Sequence, residues 1–408
     1  MASVLILTPQ SPYPPRQGTA LRNWGLLKGL AAHHRVSLLT FAASDQALTP
    51  DPELAQVVER VALVPQLSRS SVDRLRDLVT TTFPDLARRL VSAQFRAVLD
   101  DWLTHYHFDW VLIEGLEMAP YVVEGTHRAA NIPEGTRIAF DDHNCEYVLQ
   151  RRTAGSDWLQ PLRWPSALYS SIQWRRLRRY EAEVCTRADV VVAVSAADAA
   201  ALRAVVPTLD PLVIPNGIDV AAYAEAIPTA EAVPTALAQP AFVFTGTMDF
   251  RPNVDGVLWF ANLVWPRIRA ALPEAHFYIV GRRPHRRLNA LRKHPGITIT
   301  GSLDDTRPHI RGAAVYVVPL LVGGGTRLKL LESTAMGKAV VATSLAAEGF
   351  VEPERAMVLA DTAATFADAC IALARDADAR AVWGSRARAY VQAYDWAKLL
   401  PPLLTRLG

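Results

Sequence analysis

The residues with the plainest chemical use lie in one stretch, Pro319-Leu-Leu-Val-Gly-Gly-Gly-Thr-Arg-Leu-Lys-Leu-Leu-Glu332. An apolar run ends at Pro319, three glycines follow, and a helical pattern begins near Thr326. Glycines ahead of a helix N-terminus leave backbone N–H groups free and let a phosphate approach closely. Gly324, Gly325 and Thr326 would form such a cradle. Arg327 and Lys329 fall in the first turn, where cations oppose the helix dipole unless an anion sits in front of them. Glu332, one or two turns in, can accept hydrogen bonds from a ribose diol. The plain alternative is a glycine turn flanked by a solvated Arg and Lys.

A second polar string, Phe140-Asp-Asp-His143-Asn-Cys-Glu146, follows an apolar run and so belongs at the carboxyl edge of a sheet. Three carboxylates, an imidazole and an amide packed together are polar enough to be functional, and they also suit a structural loop with local Asx hydrogen bonds. The spacing matches no metal site. Other common chemistries lack their motifs. Gly323-Gly-Gly325 has no third glycine for a dinucleotide fingerprint, Gly337-Lys338 has no earlier glycine for a P-loop, and HExxH and GxSxG are absent.

The elements that must position these residues follow from periodicity. Near-continuous runs of Val, Ile, Leu and Phe predict strands at Val4–Leu7, Val36–Leu39, Val61–Val64, Trp110–Ile113, Arg137–Phe140, Val190–Val194 and Leu212–Ile214. Helical patterns separate most of them, including Thr19–Ala32 and Asp73–Trp102, the latter breaking at Pro84. A segment rich in Ala, Thr, Pro and Glu then interrupts the alternation. Beyond it strands are expected at Phe242–Thr245, Phe277–Val280, Ile297–Thr300, Val315–Val318 and Ala339–Ala342, with helices at Val254–Ala271, His285–Arg292, Arg307–Gly312 and Thr326–Met336. Two βα arrays imply an α/β protein of two doubly wound domains. Ligands of such sheets bind beyond the strands' carboxyl ends, so facing domains would enclose a deep cleft.

The motifs resemble those of GT-B glycosyltransferases, specifically the large retaining group called glycosyltransferase family 4. Its hallmark is two glutamates separated by seven residues. Glu332 matches the second, and Gly324 stands where the first belongs. The string Gly323-Gly-Gly-Thr-Arg-Leu-Lys-Leu-Leu-Glu332 resembles a Gly-x-Gly-Thr-Arg-Leu-Lys-x-x-Glu subgroup. Ala188–Ser195 resembles the family's "aDxvvavS" step. Ile214-Pro-Asn-Gly-Ile-Asp219 resembles its crossing into the second domain, with Asn216 structural and Gly217 expected at positive φ.

The resemblance implies two Rossmann-like domains: residues 1–218 with a returning helix at 387–408, a linker at 219–237, and a nucleotide-sugar domain at 238–386. It implies a nucleoside diphosphate sugar as donor, a glycan or lipid-linked acceptor, retention at the anomeric carbon, and no essential metal or other cofactor. It assigns the diphosphate to Arg327 and Lys329, with Arg251 substituting for the family's usual Arg–Lys pair. Glu332 would hold the ribose, the loops at Arg282 and Leu303 the base, and Gly18 and His143 would stand at the sugar. Asp305 would cap the helix after it. A nucleotide-sugar epimerase and a silent partner subunit share the fold, and the glutamate missing at Gly324 bears on both.

Composition sets the surroundings. The chain has 408 residues, half of them hydrophobic, and a formal charge of +3, which offers no excess for nucleic acid. Only five of its basic residues are lysines. Three scattered cysteines and an N-terminus unlike a signal peptide fit the cytoplasm, including the inner face of its membrane. Tryptophan interleaves with arginine over Arg151–Tyr180, a pattern that suits peripheral contact with an anionic bilayer or a solvated helix with core-facing tryptophans.

Overall fold

The computed structural model describes the chain apart from residues 16–17, 43–47, 67–68, 125–126, 160, 225–236, 304 and 323–325. Gly324, Gly325 and most of the expected linker therefore lie outside the described residues. The chain forms two compact units, one of Met1–Pro215 with Trp396–Gly408, the other of Asn216–Asp395.

The first unit holds β1 (Ser3–Thr8), β2 (Arg35–Ala42), β3 (Arg60–Pro65), β4 (Trp110–Glu114), a small antiparallel pair β5 (Val123–Glu124) and β6 (His127–Arg128), then β7 (Arg137–Asp142), β8 (Val190–Ala193) and β9 (Leu212–Val213). Its main sheet runs β3-β2-β1-β4-β7-β8-β9 and is parallel throughout. The second unit holds β10 (Ala241–Thr245), β11 (His276–Val280), β12 (Ile297–Gly301), β13 (Val315–Val318), β14 (Val340–Ala342) and β15 (Val358–Leu359). These form a parallel sheet in the order β12-β11-β10-β13-β14-β15. Each expected strand is present, because helices cover both faces and both must be apolar. β15 was not expected; two residues carry no periodicity.

Both sheets step outward from the first strand in one direction, then reverse. The reversal falls between β1 and β4 in one unit and between β10 and β13 in the other. Ligands of such sheets bind at the carboxyl ends beside a reversal; the Gly323–Glu332 string follows β13, and the Asp141–Glu146 string follows β7, next to β4.

The helix Gly18–Ala31 buries Leu26, Leu27 and Leu30 in the core under β1, β2 and β4. Its outer face approaches the returning segment at two glycines. A Cβ on Gly25 would stand 2.0 Å from Trp396 Nε1, and one on Gly29 1.9 Å from Leu400 Cδ1. In the second unit, Ala377–Val391 sets Gly384 against the backbone of Gly337, while Trp396–Gly408 belongs to the first.

Two expectations are corrected. The helix expected over Val254–Ala271 is three segments: Arg251–Trp259, a π-helical turn Phe260–Val264, and Trp265–Ala271. Pro266 lacks an N–H and its ring crowds the carbonyl four residues back, so a wide turn precedes it. Gly217 is not at positive φ. Asn216 Nδ2 donates to the Thr326 carbonyl at 2.7 Å and Ile218 bridges Asp395, so the chain passes extended with no turn. The region from Asp73 to Trp102 does break at Pro84, and Ser92 starts a further helix, Ala93–His105, by accepting from Phe95 N–H.

The glycine contacts give a test of this packing. Gly25→Val should destabilise the chain by about 1–3 kcal/mol through overpacking against Trp396. A lowered urea midpoint at unchanged slope is the expected result; an unchanged midpoint would show that the returning segment is loosely held.

Candidate active site

In the second unit the site is built around the end of β10. Gly246 follows that strand, and its N–H donates to the Val280 carbonyl at 3.0 Å. A Cβ there would stand 2.8 Å from Asn253 Nδ2 and 2.9 Å from Lys329 Nζ, so only glycine fits. Asn253 sits in the first turn of Arg251–Trp259. Its Oδ1 accepts from Lys329 Nζ at 2.8 Å, and the same ammonium lies 4.0 Å from the centre of the Phe244 ring. Lys329 itself is in the first turn of Leu328–Ala335, whose N-cap residue is Arg327. Burial and then the nearby Arg327 charge pull the Lys329 pKa down to about 7, against the pull of Glu332. An amide oxygen and a ring face hold this cation at the β10/β13 reversal, and no ion pair to Lys329 is among the described contacts.

Glu332 lies one turn on. Tyr223 Oη donates to its Oε1 at 2.9 Å. Burial raises the Glu332 pKa, while Tyr223 and Lys329 hold it down. Thr326 is buried, its carbonyl tied by Asn216 and its Oγ1 without a hydrogen bond. Arg327, Lys329, Glu332 and Thr326 are thus brought together.

Others stand apart. Arg251 starts its helix and pairs with Asp255 at 3.4 Å, a carboxylate that Arg287 also holds at 2.6 Å. Arg282 meets the Gly246 loop through its backbone, its carbonyl accepting from Met248 N–H at 2.9 Å. Leu303 packs on the unit's core. Asp305 accepts from Arg307 N–H at 2.9 Å and pairs with the same side chain, but the N-cap position of Arg307–Gly312 is Thr306, one residue on.

The first unit gathers a different set. Glu114 ends β4 and lies in register with Asp141 of β7. Two buried carboxylates side by side repel, and two cations separate them. Arg22, from Gly18–Ala31, donates through Nε and Nη2 to both Asp141 oxygens at 2.7 and 2.6 Å, and through Nη1 to the Ile214 carbonyl at 3.1 Å. His143 Nε2 lies 2.8 Å from Glu114 Oε2 and 3.4 Å from Asp141 Oδ2. Burial works against a charged imidazole, but Asp141 and Glu114 outweigh it and raise the His143 pKa to about 10. Asp141 is held well below the carboxylate range by Arg22 and His143 against its burial. Glu114 moves up, through burial and then the Asp141 charge. His143 is therefore a cation at neutral pH. Gly18 is exposed at the start of its helix.

Strand alternation sends the next residue to the opposite face. Asp142 is buried there, and neither carboxylate oxygen has a hydrogen bond. Its pKa rises through burial and then the charges of Glu181 and Glu146. Glu181 accepts from the N–H groups of Glu146 and Tyr147 at 2.8 and 3.2 Å, capping the helix Glu146–Trp158.

Two sets of side chains come within metal-binding reach of one another: Glu114, Asp141 and His143, and Asp142, Cys145 and Glu181. In the first, Arg22 already takes both Asp141 oxygens. In the second, burial and the Glu181 charge push the Cys145 thiol up, away from the thiolate a metal needs. All three cysteines are free and buried.

Sequence reasoning missed Arg22, Glu114, Asn253 and Tyr223. The one available signal was an acid ending an apolar strand, at Glu114.

Comparison with known proteins agrees with this architecture. Sucrose-phosphate synthase from Thermosynechococcus elongatus superposes with a TM-score of 0.68 at 17% identity, over 100% of this chain and 98% of that one. HepE of Anabaena, in complex with UDP and glucose, gives 0.64 at 14% over 100% and 99%. At such identities the likeness is one of fold, and the fold is GT-B. Residues 17–222 match the model described as Glycosyltransferase Family 4, and residues 239–376 match Glycosyl transferases group 1. The first match alone spans half of the chain, which belongs to glycosyltransferase family 4. Among curated proteins, phosphatidyl-myo-inositol mannosyltransferase of Mycolicibacterium smegmatis is 32% identical over 198 residues, 46% of this chain and 49% of its own length. An uncharacterized 44.6 kDa protein in the cps region of Klebsiella pneumoniae is 28% identical over 115 residues, 26% of this chain and 30% of its own. The chain thus spans about half the length of the first relative and less than a third of the second.

The buried Arg22–Asp141 pair yields a stability prediction. Arg22→Ala leaves Asp141 buried beside Glu114 without its main cation and should cost about 3–5 kcal/mol. Arg22→Lys should recover only part of this, since an ammonium cannot span both oxygens. Urea unfolding of both variants checks the order; equal stability of Arg22→Lys and wild type would show that the bidentate geometry carries no weight.

Proposed function

We propose that the chain is a retaining glycosyltransferase, moving a sugar from a nucleoside diphosphate donor to a hydroxyl of a glycan or lipid-linked acceptor in cell-surface polysaccharide or glycolipid synthesis. The observation that carries this reading is Lys329. A half-buried cation at the sheet reversal, held by an amide and a ring, suits the arrival of an anion. The membership in family 4 supports a sugar nucleotide as that anion, and the likeness to the phosphatidyl-myo-inositol mannosyltransferase of M. smegmatis supports a lipid acceptor.

In the proposed reaction the bond from the anomeric carbon to the diphosphate oxygen breaks. The acceptor oxygen bonds to the same face of that carbon, and its proton passes to the leaving phosphate. Arg327 and Lys329 meet the charge growing on the diphosphate, the main electrostatic demand of the step, with no metal required. Glu332, with Oε1 fixed by Tyr223, offers Oε2 to the ribose. His143, positively charged, serves a sugar hydroxyl. Arg251, paired with Asp255, is a weaker candidate than Lys329 for the diphosphate. No described helix is long and apolar enough to cross a membrane. We place the protein in the cytoplasm, at the inner face of the membrane that would hold such an acceptor.

Calorimetry with UDP, GDP and ADP tests the site. One of them should bind, and Lys329→Ala and Glu332→Ala should each weaken it by about tenfold or more, the order of one charge-assisted hydrogen bond. Unchanged affinity in both variants would sink the assignment. A labelled donor incubated with a membrane extract should give slow hydrolysis or labelled lipid; binding without turnover would point to a silent subunit, and inversion of the sugar without transfer to an epimerase.

The Lys329 pKa supplies a pH signature. The free site has a pKa of about 7, and a bound diphosphate must raise it. Between the two values the complex holds more protons than the free protein, so affinity falls as pH rises above 7. At pH 8, calorimetry in buffers of different ionisation enthalpy should show net proton uptake approaching one per site, lost in Lys329→Ala. Equal uptake in wild type and variant would assign the proton elsewhere.

A further inference from the structure

The Lys329 ammonium is held by a neutral side chain, and the other contacts of that side chain decide how. Asn253 is 5% exposed, in the first turn of Arg251–Trp259, where its N–H donates to the Phe250 carbonyl at 3.0 Å. Its amide works in two directions. Nδ2 donates to the Thr247 carbonyl at 2.9 Å, and Oδ1 accepts from Lys329 Nζ at 2.8 Å. Turning the amide over would set N–H groups against an ammonium and an oxygen against a carbonyl. Its orientation is therefore fixed by its two partners.

The same turn is braced on its other side. Gly246 leaves room for the amide and the ammonium to approach the end of β10 together. Two residues on, Met248 N–H donates to the Arg282 carbonyl at 2.9 Å. Asn253 thus joins the turn after β10, the helix that follows it and the ammonium. A carboxylate of the same shape would hold an ammonium more strongly, because a charged acceptor makes the stronger bond. It would also neutralise it, and would turn an acceptor toward the Thr247 carbonyl where the amide turns a donor. The charges that act on Lys329 are Arg327 and Glu332. Tyr223 and Tyr316 lie within reach of the Glu332 charge, and burial pushes both hydroxyls up, so they are neutral near pH 7. The helix of Asn253 also carries Arg251 and Asp255, which pair with each other at 3.4 Å.

We propose that Asn253 is a positioning residue of the donor site, fixing the Lys329 ammonium at the strand reversal through a neutral amide that the Thr247 carbonyl holds in one orientation, so that the charge is left to a bound phosphate. The inference rests on the proposed function for what the charge serves, and on the contacts of Asn253 alone for how it is set. It makes the acid of the same shape, which gives the stronger contact, the poorer site.

Lysine NMR of the free protein tests it. With 13C at Cε of the five lysines, Lys329 is the resonance missing from Lys329→Ala. Its midpoint in wild type is expected at about 7. Asn253→Asp should raise it to about 8 or higher, since an opposite charge in contact favours the ammonium. Asn253→Ala should lower it below the wild-type value, since a hydrogen bond to the charged form is lost. A mere loosening of the turn would hydrate the lysine and raise both variants toward about 10.4, the ordinary lysine value. A rise in both variants, or one midpoint for all three proteins, overturns the proposal. Should Asn253→Asp fail to fold, the direction of the move in Asn253→Ala decides alone. In calorimetry, whichever of UDP, GDP and ADP the wild type binds should bind Asn253→Asp at least about tenfold more weakly. Its proton uptake at pH 8 should fall toward zero, because the lysine is already charged. Equal affinity in wild type and Asn253→Asp also overturns the proposal. A wild type that binds none of the three would sink the donor reading, and the NMR midpoints would still decide the role of Asn253.

Discussion

The first unit depends on one interaction, the bidentate pair between Arg22 and Asp141. Parallel sheets covered on both faces leave polar side chains only at strand ends, and here register places Glu114 beside Asp141. Neither could remain buried and ionised next to the other without a cation. Arg22 supplies it, and its third hydrogen bond, to the Ile214 carbonyl, ties the helix after β1 to the segment leaving β9. The positive charge on His143 follows from the same arrangement, because Asp141 stays ionised and draws the imidazole proton in.

The second unit repeats the topology with opposite electrostatics. At its strand reversal a cation stands beside an amide and an aromatic ring. Burial and the neighbouring Arg327 charge cost the charged form more than Glu332 returns, which is why the Lys329 pKa falls. The first unit has spent its cation on its own acids, whereas the described contacts of Lys329 in the second are an amide oxygen and a ring face. One βα plan can thus surround a cation with acids in one place and with neutral groups in another.

This contrast explains what the sequence revealed and what it hid. The strands were legible because each needs two apolar faces, and the glycine motif could be picked out because its residues are contiguous in sequence. Lys329 and Glu332 could be singled out as candidates from their place after that motif. Their partners could not. Asn253 is 76 residues from Lys329, and Tyr223 is 109 from Glu332. Arg22 reads as an exposed residue of an amphipathic helix until Asp141, 119 residues on, is brought to it. Local pattern gives the cation or the acid; only the sheet order gives its mate. The π-helical turn before Pro266 was hidden differently, since a single proline can end a helix, kink it or widen one turn.

The Ser71–Thr80 helix, on which Val72, Leu75 and Val79 are exposed, shows that polar contacts can override amphipathic pattern altogether. Its period is plain in the sequence, and by itself the pattern calls for an apolar face turned inward. What reverses it is Arg69, which bridges Asp77 and Asp85 at 2.6 and 2.9 Å and anchors the helix by its charged side. Arg176 adds a second anchor at the Leu78 carbonyl, and Ser70 and Asp73 close a capping box that satisfies the first turn. With both ends and the polar face secured by hydrogen bonds, the helix does not need its apolar stripe to hold its place. The stripe is left to solvent at a free-energy cost of about 25 cal/mol for each Å² of apolar surface kept in water.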